Sequence, residues 1–400
     1  MSTPTTHNDA PVAIEPCWLG VAAIAFGAFA LVVMEFLPIG LLPGVVKGFG
    51  ISDGTAGLTV SATAALGFIA APATALAAGV LDRRLVLLAL SAIVVVSGMM
   101  STVAPNFYVL LLARAILGIG VGGFWSISIT AAARLVPQDK VARASSLVFA
   151  GISVASVVSV PLGTYIATHY AWRTGFAIAS ALAIIVFISQ IFLLPRIEVK
   201  QRVILSDFIG LLKSSKVIAI YCTIIFVVSG HFCGYTFVTA DLQKVARFDL
   251  DTIGILLLAY GVLTVVGTFV GGAMAGRDLH KTVYGNIALF CLSLVALSGL
   301  PGYRGIAIAS LLLWALSWGM APVGTQLWLY DSTRHAPEAA QSMNTSIFQL
   351  SITLGSLIGG LAVDHIDLHA AMWAGAVIFV LAIAAAVVAG RMDSLKTTGP

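Results

Sequence analysis

Charge is scarce in this 400-residue chain: Asp, Glu, Lys and Arg together make up 10% of it, against roughly 25% in soluble domains. That shortage excludes an ordinary water-soluble fold. Apart from Arg114, the 21 basic residues lie in short connections, and they form no continuous basic face, so the net charge of +4 does not argue for nucleic-acid binding. Cysteines number four, Cys17, Cys222, Cys233 and Cys291, without C-x-x-C or metal spacing; buried free thiols are expected, and no metal site. Catalytic signatures are missing too. There is no G-x-S-x-G, H-E-x-x-H or Walker A pattern, and no pair of carboxylates in one apolar segment, which excludes a conventional enzyme, a bound cofactor and ATP-driven pumping by this chain alone. The segment 1–16 is polar, with no basic n-region and no small-residue cleavage site, so no signal peptide is expected to be removed.

What the chain has in abundance is apolar sequence, 59% of its residues, giving a mean hydropathy of +1.03. A bilayer crossing takes about 20 such residues. Runs of that kind fall at 18–44, 55–80, 85–104, 107–133, 144–168, 173–195, 217–241, 252–276, 282–300, 305–330, 341–363 and 370–390. They predict an all-α integral membrane protein with twelve transmembrane helices. Breaks at Pro43-Gly44, Ala104-Pro105-Asn106 and Leu300-Pro301-Gly302 are places where helices end easily.

With the N-terminus in the cytoplasm, fifteen Lys and Arg residues fall inside and five outside (Lys47, Arg173, Lys244, Arg247 and Arg304), Arg114 lying within the membrane. The positive-inside bias therefore puts both termini in the cytoplasm. A basic polar interruption at 196–216 divides six helices from six, predicting a tail at 1–16, bundles at 17–195 and 217–391, a central loop between them and a tail at 392–400. Phe208, Leu211 and Leu212 would share one face of a surface helix in that loop, or the loop is a plain linker. Two echoes accompany the division: Leu81-Asp82-Arg83-Arg84 with Gly276-Arg277-Asp278, and Pro137–Phe149 with Pro337–Phe348. Duplicated halves with a substrate site between them are common in transporters.

Two charges lie inside apolar runs, Glu35 and Arg114. A charge at mid-membrane costs about 2.5–3.5 kcal/mol on insertion scales, so each implies a cavity, a partner or a mechanism. At ~1.5 Å per residue both lie roughly 10–15 Å from the outer face. They are expected to face one aqueous cavity, either as a proton-titrating carboxylate with a tuning cation or as a static ion pair. Arg114-x-x-x-Gly118-x-x-x-Gly122 puts three residues on one helical face, where the glycines admit a neighbouring backbone, and Trp125 extends that face. Gly355 and Gly359 repeat the spacing, with packing as the expected role.

On the tenth helix Trp314, Trp318, Pro322 and Thr325 share a face, with Trp328 near it; the stripe could stack on a ring-shaped solute, pack, or anchor at the interface. His231, Tyr235, Gln326, Asn344 and Gln349 are mid-span polar groups, each a cavity residue or a cross-helix hydrogen bonder.

These residues resemble the major facilitator superfamily, and within it the twelve-helix drug:proton antiporter branch. Arg114 to Gly122 is similar to that branch's fourth-helix motif, whose arginine is implicated in proton coupling. Leu81-Asp82-Arg83-Arg84 resembles the loop motif that latches the inner face, although Leu85, Val86 and Leu87 replace its usual following residues. Val160-Pro161-Leu162-Gly163-Thr164 resembles the fifth-helix antiporter motif, with Val160 where glycine usually stands. Glu35-Phe36-Leu37-Pro38, Gly122-Gly123-Phe124-Trp125 with Arg134-Leu135-Val136-Pro137, and Pro322-Val323-Gly324 resemble bacterial purine ribonucleoside efflux pumps and their sugar-efflux relatives. The resemblance implies two pseudo-symmetric six-helix bundles and a monomer in the bacterial inner membrane. It implies export of a small solute, first a purine nucleoside and next a sugar or drug, in exchange for protons. By that resemblance Glu35 and Arg114 would serve coupling, and Trp125 and the tenth-helix aromatics, Trp318 among them, would line the substrate site; the mid-span groups His231, Tyr235, Thr325, Gln326, Asn344 and Gln349 complete the candidate substrate-binding set. Asp82, Arg83, Arg84, Pro161 and Gly163 would serve the gate. An uncoupled channel or a membrane receptor is the competing class.

Overall fold

The computed structural model describes residues 16–79, 81–197, 203–300, 303–333 and 336–397, with backbone alone for 337, 338 and 393–397. Most of the two tails, Lys200, Arg202, Arg334, the break at Pro301-Gly302 and the side chain of Lys396 thus lie outside the description.

Among the described residues fourteen α-helices follow one another: α1 (Trp18–Phe49), α2 (Asp53–Ala77), α3 (Arg83–Val103), α4 (Phe107–Arg134), α5 (Val141–His169), α6 (Trp172–Leu193), α7 (Leu205–Leu212), α8 (Ser215–Tyr235), α9 (Val238–Lys244), α10 (Leu250–Ala275), α11 (Leu279–Gly299), α12 (Arg304–Ser332), α13 (Pro337–His365) and α14 (Ala370–Thr397). All but α7 and α9 are long and apolar enough to cross a membrane, twelve in number. Many begin where a short polar side chain satisfies the first free amides. Ser52 accepts from the Thr55 amide, Asn106 from Val109, Asp249 from Thr252 and Asp278 from Lys281.

α1 to α6 pack around one apolar core, and α8 with α10 to α14 around another. The bundles meet along two seams, α2 against α13 and α5 against α10. One end of the molecule carries Arg83, Arg84, Arg134, Arg143 and Arg277 and is called the basic end below; the other, with Lys47, Arg173 and Lys244, is the far end.

The seventh apolar run is not one helix. α8 stops at Tyr235 and α9 begins at Val238. The Phe237 amide reaches back to the Gly234 carbonyl, 3.0 Å, a tightened turn, and its ring lodges between α2 and α13. A Cβ added at Gly57 would lie 2.5 Å from that ring, and one at Gly359 2.9 Å. In the central loop α7 buries Phe208 and Leu211 against α8 and α13, whereas Leu212, expected on the same face, is 48% exposed.

Prolines inside the spans leave the carbonyl four residues earlier without its helical partner, and the fold gives two of those carbonyls, Phe68 and Met34, a new donor. Pro72 frees Phe68, whose oxygen accepts from Ser346 Oγ of α13 at 2.7 Å. Pro161 frees Val157, the residue that meets Gly261 of α10 where the bundles cross: a Cβ at Gly261 would lie 2.5 Å from the Val157 Cα. Pro38 frees Met34, beside Glu35.

Candidate functional site

The freed Met34 carbonyl explains the buried arginine. Arg114 has no exposed surface. Its Nη1 donates to Met34 O at 2.6 Å, its Nη2 to Glu35 O at 2.8 Å and its Nε to Thr59 O at 3.2 Å. The planar guanidinium thus ties α1 and α2 to α4 through main-chain oxygens. Close approach comes from the glycines on the same face. A Cβ at Gly118 would sit 2.0 Å from Thr63 O, and one at Gly122 2.2 Å from Gly67 O, as the small-residue spacing predicted.

The expected acid–base geometry is therefore corrected. Arg114 is closed off from solvent, and no ion pair joins it to the Glu35 carboxylate among the described residues; three of its five N–H donors go to main-chain carbonyls instead. Glu35, 5% exposed, instead turns its carboxylate to the opposite bundle, where Oε1 accepts from Gln349 Nε2 at 3.1 Å. Gln349 Oε1 is buried without a hydrogen-bond partner. Gly67 makes room for that amide, since a Cβ there would come within 3.2 Å of Gln349 Cδ. Among the described residues Glu35 is the one carboxylate lying more than two turns inside any span.

The Glu35–Gln349 contact sits in a polar seam. Along α2 and α13, Ser342 Oγ donates to Ala71 O, Ser346 to Phe68 O, and Ser61 and Ser356 share a hydrogen bond. At the far end Asp364 accepts from the Gly54 amide at 3.1 Å and from Ser52 Oγ at 2.9 Å, so an aspartate of one bundle caps a helix of the other. Lys244 of α9 pairs with Asp53 beside it. None of these partners was readable from spacing, because each joins residues from different halves of the chain.

Beside Glu35, Phe36 stacks on Phe232 across the bundles, with centroids 5.8 Å apart, and leads into an aromatic group. His231 lies flat against Trp318 at 3.7 Å and 2°, with Tyr235 on its other side at 4.8 Å. Trp314 Nε1 donates to His231 Nδ1 at 3.0 Å, leaving Nε2 buried without a partner. Phe348 tilts against Trp318 at 6.0 Å, and Trp125, half-buried on α4, packs near Phe29 and Phe36. Of the tenth-helix stripe, Trp314 and Trp328 are core residues, and Trp318 alone among its tryptophans keeps exposed surface. Thr325 spends its hydroxyl on Ala321 O and Pro322 O; Asn344 is buried and Gln326 is exposed. The structure therefore brings Trp125, His231, Tyr235, Trp318 and Gln349 toward the bundle interface near Glu35, and ties Thr325 into its own helix.

The profile of the Major Facilitator Superfamily matches residues 24–347. The chain belongs to the major facilitator superfamily. It is 30% identical over 354 residues to the purine ribonucleoside efflux pump NepI of Salmonella paratyphi A, covering 88% of this chain and 89% of the relative. It is 33% identical over 370 residues to the transcription regulatory protein OpdE of Pseudomonas aeruginosa, covering 91% and 92%. The fold matches a mutant form of the nucleoside transporter NupG, with a TM-score of 0.77 at 13% identity over 93% of this chain and 99% of that one. It also matches a bacterial homologue of the human lysosomal transporter Spinster, inward-facing and unoccupied, with 0.76 at 15% identity over 94% and 96%. As in its superfamily, this is a multi-pass membrane transporter and not an enzyme.

The superfamily loop motif lies within the N-terminal bundle. Asp82 Oδ1 accepts from the amides of Arg84 at 2.9 Å and Ile197 at 3.0 Å, and Arg84 Nη2 donates to Ile191 O at 2.8 Å. The Arg83 amide adds a bond to Ile197 O. These contacts fasten the start of α3 to the exit of α6. Pro161 and Gly163 act on α1 as well as α10: a Cβ at Gly163 would lie 2.5 Å from Leu37 O, two residues from Glu35.

Proposed function

We propose that this transporter exports a small solute, first a purine nucleoside, across a bacterial inner membrane in exchange for protons. The observation that carries the reading is a mid-span carboxylate, Glu35, bonded across the bundle interface to Gln349. A carboxylate so placed can hold a proton on one side of the membrane and release it on the other as the bundles rock. Arg114 has a positioning role, fixing the α1 backbone at Met34 and Glu35. The aromatic faces of Trp318 and Phe36 suit stacking on a planar base, and the name of NepI supports a purine ribonucleoside as cargo. Positive-inside bias puts the basic end in the cytoplasm, so the solute leaves through the far end.

The test is reconstitution in proteoliposomes with an imposed pH gradient. Inosine or guanosine accumulation is expected to follow the gradient and to fall at least about tenfold in Glu35→Gln, with nucleoside binding retained. Unchanged accumulation in that variant removes Glu35 from the mechanism; transport of pentoses or lipophilic cations in place of nucleosides reassigns the cargo. The name of OpdE supports a second reading, a sensor that binds solute without moving it. Uphill movement that collapses with an uncoupler separates the two.

A further inference from the structure

We propose that Gln349 is the positioning residue that makes closure of the two bundles conditional on a proton at Glu35. This rests on the reading of Glu35 as the proton carrier and adds what that reading lacks, a way for the C-terminal bundle to sense the proton.

The argument starts from hydrogen-bond supply. Gln349 offers two N–H donors and a carbonyl acceptor. One donor reaches Glu35 Oε1 at 3.1 Å, while the amide oxygen is buried without a partner. A protonated Glu35 can turn its O–H onto that oxygen, completing a two-bond acid–amide pair in which every buried atom is satisfied. When the proton leaves to water, the second bond is lost. Two acceptor oxygens then face each other across the seam, and a carboxylate sits in a site that is 5% exposed. Buried unpaired acceptors and charges are costly, so the deprotonated state favours separation of α1 and α13.

No other group competes for this role. Among the described residues no ion pair reaches the Glu35 carboxylate, and Arg114 of α4, the charged side chain on its N-terminal side of the seam, spends three of its five N–H donors on carbonyls. Other ionisable groups on α1 and on the helices packed against it lie at helix ends: Lys47 on α1, Asp53 on α2, Arg83 and Arg84 on α3, Tyr108 and Arg134 on α4, Arg143, Tyr165 and His169 on α5, Arg173 on α6, and Asp241 and Lys244 on α9. Across the interface, α8 carries His231, which faces Trp314 and Trp318, together with Tyr221, Cys222, Cys233 and Tyr235, and α13 carries Glu338 in its first turn and Asp364 and His365 at its far end.

Closure is read by a disulfide between Ser61→Cys and Ser356→Cys, whose hydroxyls are 2.5 Å apart. Formation is normalised at each pH to thiol oxidation in a denatured control. With the rest of the protein unchanged, crosslinking is expected to rise several-fold on acidification. Glu35→Gln keeps a donor for the Gln349 oxygen and should crosslink strongly at every pH. Gln349→Met, which preserves length and removes both bonds, should lose the pH dependence, and Gln349→Asn should restore part of it. In transport, the pH midpoint of nucleoside exchange is expected to move in Gln349→Met, a change that loss of packing alone does not produce. If Gln349→Met keeps the full pH dependence while Glu35→Gln abolishes it, the role of Gln349 is wrong and that of Glu35 stands. If Glu35→Gln also keeps it, together with normal proton-driven accumulation, both are wrong.

Discussion

At the scale of single residues, the two membrane charges solve different problems. Arg114 repairs main chain: Pro38 takes the helical N–H away from Met34 O, and the guanidinium supplies another at 2.6 Å. Removing the arginine leaves that carbonyl orphaned, a loss of about 1–3 kcal/mol by the usual cost of an unmade buried hydrogen bond. Pro38→Ala would return an N–H to the same oxygen. The two substitutions are therefore expected to be non-additive, with Arg114→Met lowering the melting temperature in detergent clearly less in the Pro38→Ala background than in the wild type, a coupling on the order of 1 kcal/mol. Equal losses in both backgrounds would mean that Arg114 holds the fold by some other contact. Glu35, by contrast, is bonded at its carboxylate to a neutral amide, which leaves its proton free to exchange.

At the scale of elements, the seam between α2 and α13 fastens the two bundles to each other, most polar at the far end. Asp364, near the C-terminus of α13, bonds the Gly54 amide and the Ser52 hydroxyl at the start of α2, where the helix dipole favours a negative charge. Lys244 and Asp53 pair beside it. Substituting Asp364→Ala together with Lys244→Ala is expected to open the far end, raising the labelling rate of a Ser61→Cys thiol by a membrane-impermeant maleimide several-fold from that side. An unchanged rate would show that Gly54 packing on Gly360 closes that end alone. How far such features can be read from the chain follows from their range. The twelve spans and the Ser52, Asn106, Asp249 and Asp278 helix starts are local in sequence, so hydropathy and capping residues reveal them. Glu35 and Arg114 stand out because hydrocarbon rejects charge. Their partners do not: Gln349 bonds Glu35 from the other half of the chain, Phe237 breaks the seventh span by wedging between Gly57 and Gly359, and Asp364 caps a helix 310 residues away. Hydropathy holds no record of such pairings. The Pro38–Met34 relation was within reach, since a proline marks its orphaned carbonyl four residues back.

At the scale of the whole molecule, the pH dependence of stability should arise outside the spans, where α9, α11 and α14 meet at the far end. Asp241 of α9 has a side chain 1% exposed, and His369, just before α14, one 17% exposed. The ring Nδ1 lies 3.0 Å from Asp241 Oδ1 and Nε2 lies 2.8 Å from Ser298 O at the end of α11. Both ring nitrogens thus face acceptors, an arrangement that suits the imidazolium and leaves a neutral ring with a lone pair against an oxygen. The bond to Asp241, then that to the Ser298 carbonyl, holds His369 above its usual value of 6.5. Burial raises Asp241 as well, outweighing the histidine beside it. A group whose folded value lies above its unfolded one contributes stability in full below the unfolded value and loses it as pH climbs through the folded one. For His369 that window opens above 6.5, and the raised Asp241 slopes the same way. The melting temperature is therefore expected to fall as pH rises from about 6 toward 9. His369→Gln should melt several degrees lower at the acid end, because it leaves Asp241 buried without its cation, and should show a flatter slope above pH 6.5. The double variant Asp241→Asn with His369→Gln is expected to recover part of the lost stability and to keep the flat profile. A wild-type slope in the double variant would assign the pH dependence to another corner of the bundle.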